Sequence, residues 1–371
     1  MTLMLMRMTL TMTTRTKKRV AVGMSGGVDS SVTAARLLEQ GYDVMGITLD
    51  LLPDWARGEG ESTAVVDARK VAETLGIEHH VLYASSLFES EVITPFAQTY
   101  AKGLTPNPCV NCNVVIKFGY LLDFAREHGC DYLATGHYAR LVDIDGTTML
   151  CRPDDSRKDQ SYFLWHIDPS LYQYILFPLA DTKKTQTFAY AEKLGLHVAH
   201  KAESQDICFT CTMNHQEIVE RLCPDAQIPG PIVDDEGRVR GEHQGLYNYT
   251  IGQRKGLGVG GLEKPYYVYK IDAATNTVYI GPHDKLMVTH VRANNAHLIG
   301  LKPGDEINCE VMLRYNMKPV NALVKYTEDS QIDIELEEPV FGIAAGQSAV
   351  CYGAISGVSA VLGGGIISCV D

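Results

Sequence analysis

Seven consecutive residues, Ser25-Gly26-Gly27-Val28-Asp29-Ser30-Ser31, carry the densest set of phosphate-binding groups in the chain. Gly26 and Gly27 permit a turn that most residues could not make, and such a turn aims backbone N–H groups and a helix N-terminus at one point. With the hydroxyls of Ser25, Ser30 and Ser31 alongside, a phosphate is the natural occupant. No Lys follows the glycines, so this is not the common ATPase loop, and Gly23 to Gly27 lacks the G-x-G-x-x-G spacing of dinucleotide folds. Asp29 would repel a bare polyphosphate, which makes sense if magnesium bridges the two. The alternative is a carboxylate favoured in a first helical turn by the dipole alone.

Thiols supply the second kind of chemistry. Cys109 and Cys112 form one C-x-x-C pair and Cys208 and Cys211 another, among ten Cys in all. In a chain of 371 residues this is no secreted disulfide framework, and the clustering points to thiol chemistry in a reducing compartment. In Thr105-Pro106-Asn107-Pro108-Cys109-Val110-Asn111-Cys112-Asn113, two prolines stiffen a loop that runs into a helix carrying Val115, Phe118, Leu122 and Ala125. Cys112 is therefore expected at a helix N-terminus with Lys117 near, a setting for a reactive thiol. Cys208 lies in a polar segment that suits an exposed loop. The two pairs also have zinc-ligand spacing, although far more sequence separates them than in compact zinc ribbons, and Cys109, Cys112 and Cys208 could instead hold an iron-sulfur cluster.

The elements that position these groups read as α/β. Val20 to Val22, Val44 to Leu49, His80 to Tyr83 and Asp131 to Thr135 are short apolar strands, alternating with helices from Val28 and over Thr63 to Leu75. This alternation implies a parallel sheet whose ligands lie beyond the carboxyl ends of its strands, where Gly136 and His137 should also fall. A hairpin turning at Asp145-Gly146, a short aromatic helix over Ser161 to His166 and an amphipathic helix over Lys183 to Leu194 follow. Near Met213 the alternation stops. Residues 216–285 hold a Gly-rich basic loop, Ile251 to Gly258, in which Arg254 and Lys255 are phosphate contacts by charge. From Val288 onward, alternating stretches such as Ile307 to Arg314, Ala322 to Tyr326 and Ile332 to Leu336 read as a small antiparallel barrel. The expected division is an extension over 1–18, a nucleotide domain over 19–215, a central domain carrying the basic loop over 216–285, and a barrel over 286–371.

Hydrophobic residues make up 45% and charged residues 21%, enough for a substantial core. No run of about 18 apolar residues suggests a membrane span. The net charge of −12 speaks against nonspecific polyanion binding over the whole surface and leaves room for a local basic patch. The Met- and Thr-rich start, with no acidic residue before Val20, reads as a disordered extension lacking the apolar stretch of a secretory signal.

Five further strings join the glycine loop in order: Thr105 to Asn113, Ala134-Thr135-Gly136-His137-Tyr138-Ala139-Arg140, Lys158 to Leu164, Ser204 to Phe209 and Gly252 to Leu257. Together they resemble the tRNA-specific 2-thiouridylase (MnmA/TrmU) family over nearly everything from Lys18 to Gly365. The loop itself resembles the S-G-G-x-D-S pyrophosphatase loop of adenylating enzymes. The resemblance implies a Rossmann-like domain of the adenine nucleotide α-hydrolase type, then a small central domain and a C-terminal antiparallel β-barrel. It implies that Gly23, Met24, Ser25, Gly26, Gly27, Val28, Asp29, Ser30, Leu49 and Gly136 surround ATP with Mg2+. Cys112 would be the catalytic thiol and Cys208 the persulfide carrier. Asn107, Pro108 and Cys109 would lie near the target base, while His137, Lys158, Asp159, Gln160, Arg314, Tyr315 and Gln347 would touch tRNA. Leu49, where many relatives have Met, and Asn111, where an apolar residue is usual, depart from the pattern.

The implied reaction is 2-thiolation of the wobble uridine in the anticodon loop of tRNA, in the cytoplasm. A sulfur-relay or cysteine desulfurase protein would be the donor, and an external reductant would act on a Cys112–Cys208 disulfide if one forms. An adenylating ligase or amidotransferase acting on a small acid would explain the glycine loop but gives no role to the thiols. A metal-binding or purely RNA-binding protein would leave the nucleotide loop unused.

Overall fold

A computed structural model describes residues 17–57, 60–201, 207–210, 213–260, 264–327 and 329–370. The expected parallel sheet is present. β1 (Arg19–Gly23), β2 (Asp43–Asp50), β3 (Glu78–Tyr83), β4 (Tyr132–Thr135), and, after the hairpin strands β5 (Arg140–Ile144) and β6 (Thr147–Cys151), β7 (Ile175–Leu176) supply its members. Their order is β3-β2-β1-β4-β7, all parallel. Helix α1 (Val28–Glu39) carries the chain from β1 to β2, and α2 (Thr63–Leu75) from β2 to β3. Val20, Ala21 and Val22 are wholly buried, as central strands covered on both faces must be. Val32, Leu37, Val71 and Ala72 cover one face. Phe118, Leu121 and Leu122 belong to the cluster on the other.

Two elements differ from the sequence reading. The helix after the proline loop is not a single α-helix: Pro108–Asn111 is α-helical, Cys112–Tyr120 is π-helical and Leu121–Glu127 is α-helical again. Gly119 suits this register, since a Cβ there would meet the Val114 carbonyl at 3.0 Å. The expected helix over Ser161 to His166 shrinks to a 3-10 turn, Ser161–Phe163. Its side chains reach the C-terminal domain instead, Tyr162 Oη donating to Ser348 O at 2.9 Å and Trp165 Nε1 to Ser348 Oγ at 3.1 Å.

The hairpin turns at Asp145 and Gly146, both with positive φ, as a two-residue turn requires. It does not lie with the parallel sheet. β6 instead pairs with the last strand of the barrel, Ala360 opposite Cys151.

The central domain is a four-stranded sheet, ordered β10-β11-β8-β9, of β8 (Gly230–Asp234), β9 (Val239–His243), β10 (Tyr267–Asp272) and β11 (Thr277–Gly281). The C-terminal domain is built from β12 (Met287–Leu298), β13 (Glu306–Met312), β14 (Val320–Tyr326), β15 (Ile332–Phe341), β16 (Ser348–Ile355) and β17 (Val358–Val370). It is a closed antiparallel barrel because β12 pairs with both β15 and β17. Val311, Val324, Ile332 and Ile334 are fully buried in one cluster, so the inward faces of three neighbouring strands share the barrel core.

Candidate active site

The glycine loop joins the end of β1 to α1, at the carboxyl rim of the sheet. Gly26 has a φ of +67°, and a Cβ there would meet the Ala64 carbonyl at 2.5 Å. Met24 N–H donates to Ile47 O at 2.7 Å, and Thr48 Oγ1 donates to Met24 O at 2.9 Å, so β2 fixes the entry to the loop. Gly136, just beyond β4, lies so close that a Cβ would stand 2.8 Å from Ser30 N. Gly27 caps α1 without a side-chain hydrogen bond, which leaves the first-turn N–H groups to a ligand. The hydroxyls behave differently from the expectation of three donors. Ser30 and Ser31 are buried and donate to Gly27 O at 3.2 and 2.8 Å, and Ser25 is the exposed one.

Two lysines that the sequence reading did not assign converge here. Lys184, at the start of the Lys184–Lys193 helix, places Nζ 2.7 Å from both carboxylate oxygens of Asp29. Tyr138 Oη donates to the same carboxylate at 3.0 Å, and Lys184 Nζ also lies over the Tyr138 and Phe188 rings. Lys201 donates to Gly26 O at 3.1 Å and to Asp67 at 2.7 Å. The loop therefore has no lysine of its own but is served by two from much later in the chain. Neither has a local motif that would reveal it.

The thiols sit one step away. Cys112 is 8% exposed and belongs to an apolar cluster with Phe88, Ile93, Phe96, Ile116 and Phe209, against which Leu49 and Ile207 pack. The Phe209 ring stands edge-on to Phe88 and Phe96 at 5.7 and 5.0 Å, anchoring the segment in which Cys208 is exposed. One cluster thus joins the end of β2, the Cys112 segment and the residues flanking Cys208. Cys211 lies outside the described residues.

The expected placement of Cys112 at a helix N-terminus is corrected. The helix starts at Pro108, with Asn107 as its cap, so Cys109 occupies the first turn and Cys112 follows it. Burial pushes both thiols above their ordinary range, and the Lys117 cation opposes it without prevailing. Lys117 stands five residues after Cys112 in the π-helical stretch, where i to i+5 bonding stacks residues that an α-helix would splay apart. Its Nζ is 3.3 Å from His137 Nε2, and His137 Nδ1 is 2.8 Å from Thr135 Oγ1. Burial first and Lys117 second hold His137 well below the usual imidazole range, so it is neutral at pH 7.

The residues expected to touch RNA divide into two sets. Arg254, Lys255 and Arg314 are exposed. Lys158 is half-buried, and Tyr315 packs on Phe163 with ring centroids 4.4 Å apart. Asp159 and Gln160 are committed within the protein: Asp159 pairs with Arg152 Nε at 2.7 Å, and Gln160 Oε1 accepts from Tyr138 N–H at 2.9 Å. Gln347 Nε2 likewise donates to Thr105 O and Pro106 O at 3.0 and 3.1 Å.

Comparison with known proteins gives the class first. Residues 18–212 match the family described as the tRNA methyl transferase HUP domain, residues 216–282 its PRC-barrel domain and residues 288–367 an aminomethyltransferase β-barrel domain. A three-domain, tRNA-modifying enzyme with a HUP nucleotide fold is thereby defined. The chain is 45% identical to the tRNA-specific 2-thiouridylase MnmA of Bradyrhizobium sp. (strain BTAi1) over 94% of its own length and 90% of the relative's. It is 39% identical to that of Clostridium acetobutylicum, over 94% and 99%. A solved structure of the U34-tRNA thiolase NcsA from Methanococcus maripaludis matches at 25% identity with a TM-score of 0.33, covering 55% of this chain and 64% of that one. The chain belongs to the tRNA-specific 2-thiouridylase family, and it is a tRNA sulfurtransferase. Among the described residues, no helix is long and apolar enough to cross a membrane.

Proposed function

We propose that the enzyme thiolates C2 of the wobble uridine in the tRNA anticodon loop, using ATP to activate the C2 oxygen and a Cys208 persulfide as the sulfur source. The observation that carries this reading is the single apolar cluster that gathers Leu49 at the nucleotide rim, Cys112 and Phe209. A carbonyl oxygen is a poor leaving group. Its attack on the α-phosphate of ATP expels pyrophosphate and turns the oxygen into part of an AMP ester, which departs readily. The loop N–H groups of Gly26 to Asp29 and the Lys184 ammonium are the cationic and donor groups available to the pyrophosphate.

Asp29 is the residue that would hold magnesium. It is one carboxylate, a third exposed, beside a phosphate site, and it would take Mg2+ together with phosphate oxygens once the Lys184 ammonium, now 2.7 Å from both its oxygens, turned to the phosphates instead. When bound, the ion would neutralise phosphate charge.

Sulfur then replaces oxygen. Cys208 carries Cys–S–SH, formed by a sulfur-relay or cysteine desulfurase protein. Either Cys112 thiolate attacks the inner sulfur and releases hydrosulfide, which adds to C2, or the terminal sulfur adds to C2 first and Cys112 then cleaves the S–S bond. Both routes expel AMP and leave a Cys112–Cys208 disulfide, which a two-electron external reductant must open. The uridine must leave its stack to reach the cluster, as an anticodon loop allows. Asn107, Pro108 and Cys109 are the residues nearest the base in this reading, and Arg254, Lys255, Arg314 and Lys158 serve the RNA backbone. The site lies in a cytoplasmic enzyme, where thiols stay reduced.

The test is a single turnover with persulfide-loaded protein, ATP and unmodified tRNA. One AMP should form per 2-thiouridine, and AMP formation should depend on tRNA. AMP formed equally without tRNA would favour a ligase acting on a small acid. Stoichiometric zinc or iron in protein purified without oxygen, lost in Cys112→Ser, would overturn the persulfide scheme.

A further inference from the structure

The Thr105–Pro108 segment, which leads directly into Cys109 and Cys112, is held from outside its own domain. On the barrel side, Thr105 N–H donates to Ala345 O at 2.9 Å, and Gln347 Nε2 donates to the carbonyls of Thr105 and Pro106. Gly346 has a φ of +94°, and a Cβ there would lie 2.8 Å from Thr105 O and 3.0 Å from its carbonyl carbon. Its own N–H donates to Ile367 O at 2.8 Å, so the clasp is fixed to β17. On the central-domain side, Gly103 has a φ of +73°, and a Cβ would meet Ile271 Cγ2 at 2.6 Å and Leu246 Cδ1 at 3.5 Å. Both accessory domains therefore bear on the few residues that set where Cys112 stands.

We propose that Gly346 and Gln347 are positioning residues for the catalytic thiol: the barrel clasps the Thr105–Pro108 segment and fixes Cys112 before any RNA arrives. Thr105 and Pro106 both offer carbonyls that a proline loop cannot satisfy within itself, because Pro106 and Pro108 lack N–H groups. Gln347, in the turn immediately before β16, supplies two donors. The clasp also needs a residue at position 346 with no side chain and a left-handed backbone, which only glycine meets without strain. A barrel that docks RNA and also holds the thiol segment couples the two events mechanically. This inference rests on the thiolation reading for the role of Cys112, but the clasp itself is a property of the free protein.

The experiment is timed alkylation of RNA-free enzyme with iodoacetamide, read at Cys112 by mass spectrometry, with Cys208 as internal control. Gln347→Met keeps the side-chain length and removes both donors. The expected result is a Cys112 labelling rate roughly tenfold faster, as two hydrogen bonds are lost, with Cys208 unchanged. In single-turnover thiolation the same variant should lower the rate at saturating tRNA while leaving the tRNA Kd within about twofold. Gly346→Ala should move Cys112 labelling in the same direction with every donor retained. If Gln347→Met weakens tRNA binding and leaves Cys112 labelling in the free protein unaltered, Gln347 is an RNA contact alone and the clasp is wrong. Loss of the thiolation reading would instead appear in the wild-type turnover assay, with the labelling difference intact.

Discussion

The nucleotide loop and the thiol loop are built by opposite strategies. In the first, Ser30 and Ser31 bond to Gly27 a few residues before them and Ser25 N–H donates to Ser30 Oγ at 3.1 Å, so its turn is bonded from within, with β2, Lys184 and Lys201 holding it from outside. In the second, almost nothing local holds the chain: its carbonyls are bound by Gln347 and its thiol is enclosed by Phe88, Phe96 and Phe209. A loop whose conformation is set by its own residues can be read from a short motif. A loop whose conformation is imposed by distant segments cannot, and it is free to respond when those segments move.

The largest effect expected from testing this contrast lies at the thiols. Cys208→Ala should abolish 2-thiouridine in tRNA, and Cys211→Ala should leave much of it. Mass spectrometry of tRNA from complemented cells decides, and equal loss from both would remove Cys208 from its role as sole carrier. Next comes a long-range tie of the nucleotide loop, the ion pair of Asp29 with Lys184. Lys184→Met should lower tRNA-dependent AMP formation by about a hundredfold, the scale of removing one preorganised charge from a transition state, with tRNA affinity intact. Full activity in Lys184→Met would mean that the loop is self-sufficient.

Lys117 tests whether the thiol responds to the π-helical register. Its cation draws the Cys112 thiol down while burial raises it more strongly, so wild-type alkylation should rise with pH beyond the ordinary thiol range. Lys117→Met removes the downward influence, shifts the profile to higher pH and slows labelling at pH 8 by up to about tenfold. A profile that stays in place would show that the stacked lysine does not act on Cys112. The smallest effect concerns the exposed basic loop. Arg254→Ala with Lys255→Ala should weaken tRNA binding and reduce the magnitude of its log-log salt slope by about two at most. An unchanged slope would take both residues out of the interface.

Much of the first domain was legible because its signals are local. The glycine turn, the buried Val20 to Val22 strand, the α2 helix and the Asp145-Gly146 turn all follow from neighbours in sequence and appear as expected. The barrel was legible from its alternation, although not its closure, since β12 meets β17 only in three dimensions. The π-helical stretch was not, because Val115, Phe118, Leu122 and Ala125 satisfy an α-helical pattern nearly as well. Asp159 and Gln160 lie in a string that the family resemblance assigns to RNA, and only packing shows them bonded to Arg152 and Tyr138.

Adjacent residues suggest the phosphate site at Gly26 and Gly27 and the thiol chemistry proposed above, and they were enough to dictate the left-handed turn at Gly26 and a fold that begins as a parallel sheet. Those outcomes depend on φ freedom, side-chain type and hydrophobic period, each a property of a few neighbours. Folding in three dimensions was needed for Lys184 and Lys201 to reach the glycine loop, for Phe209 to bring its neighbour Cys208 toward the cluster around Cys112, and for the barrel to grip Thr105. Each of these is a contact between segments far apart in the chain, and its existence depends on how whole domains pack, which no local pattern encodes.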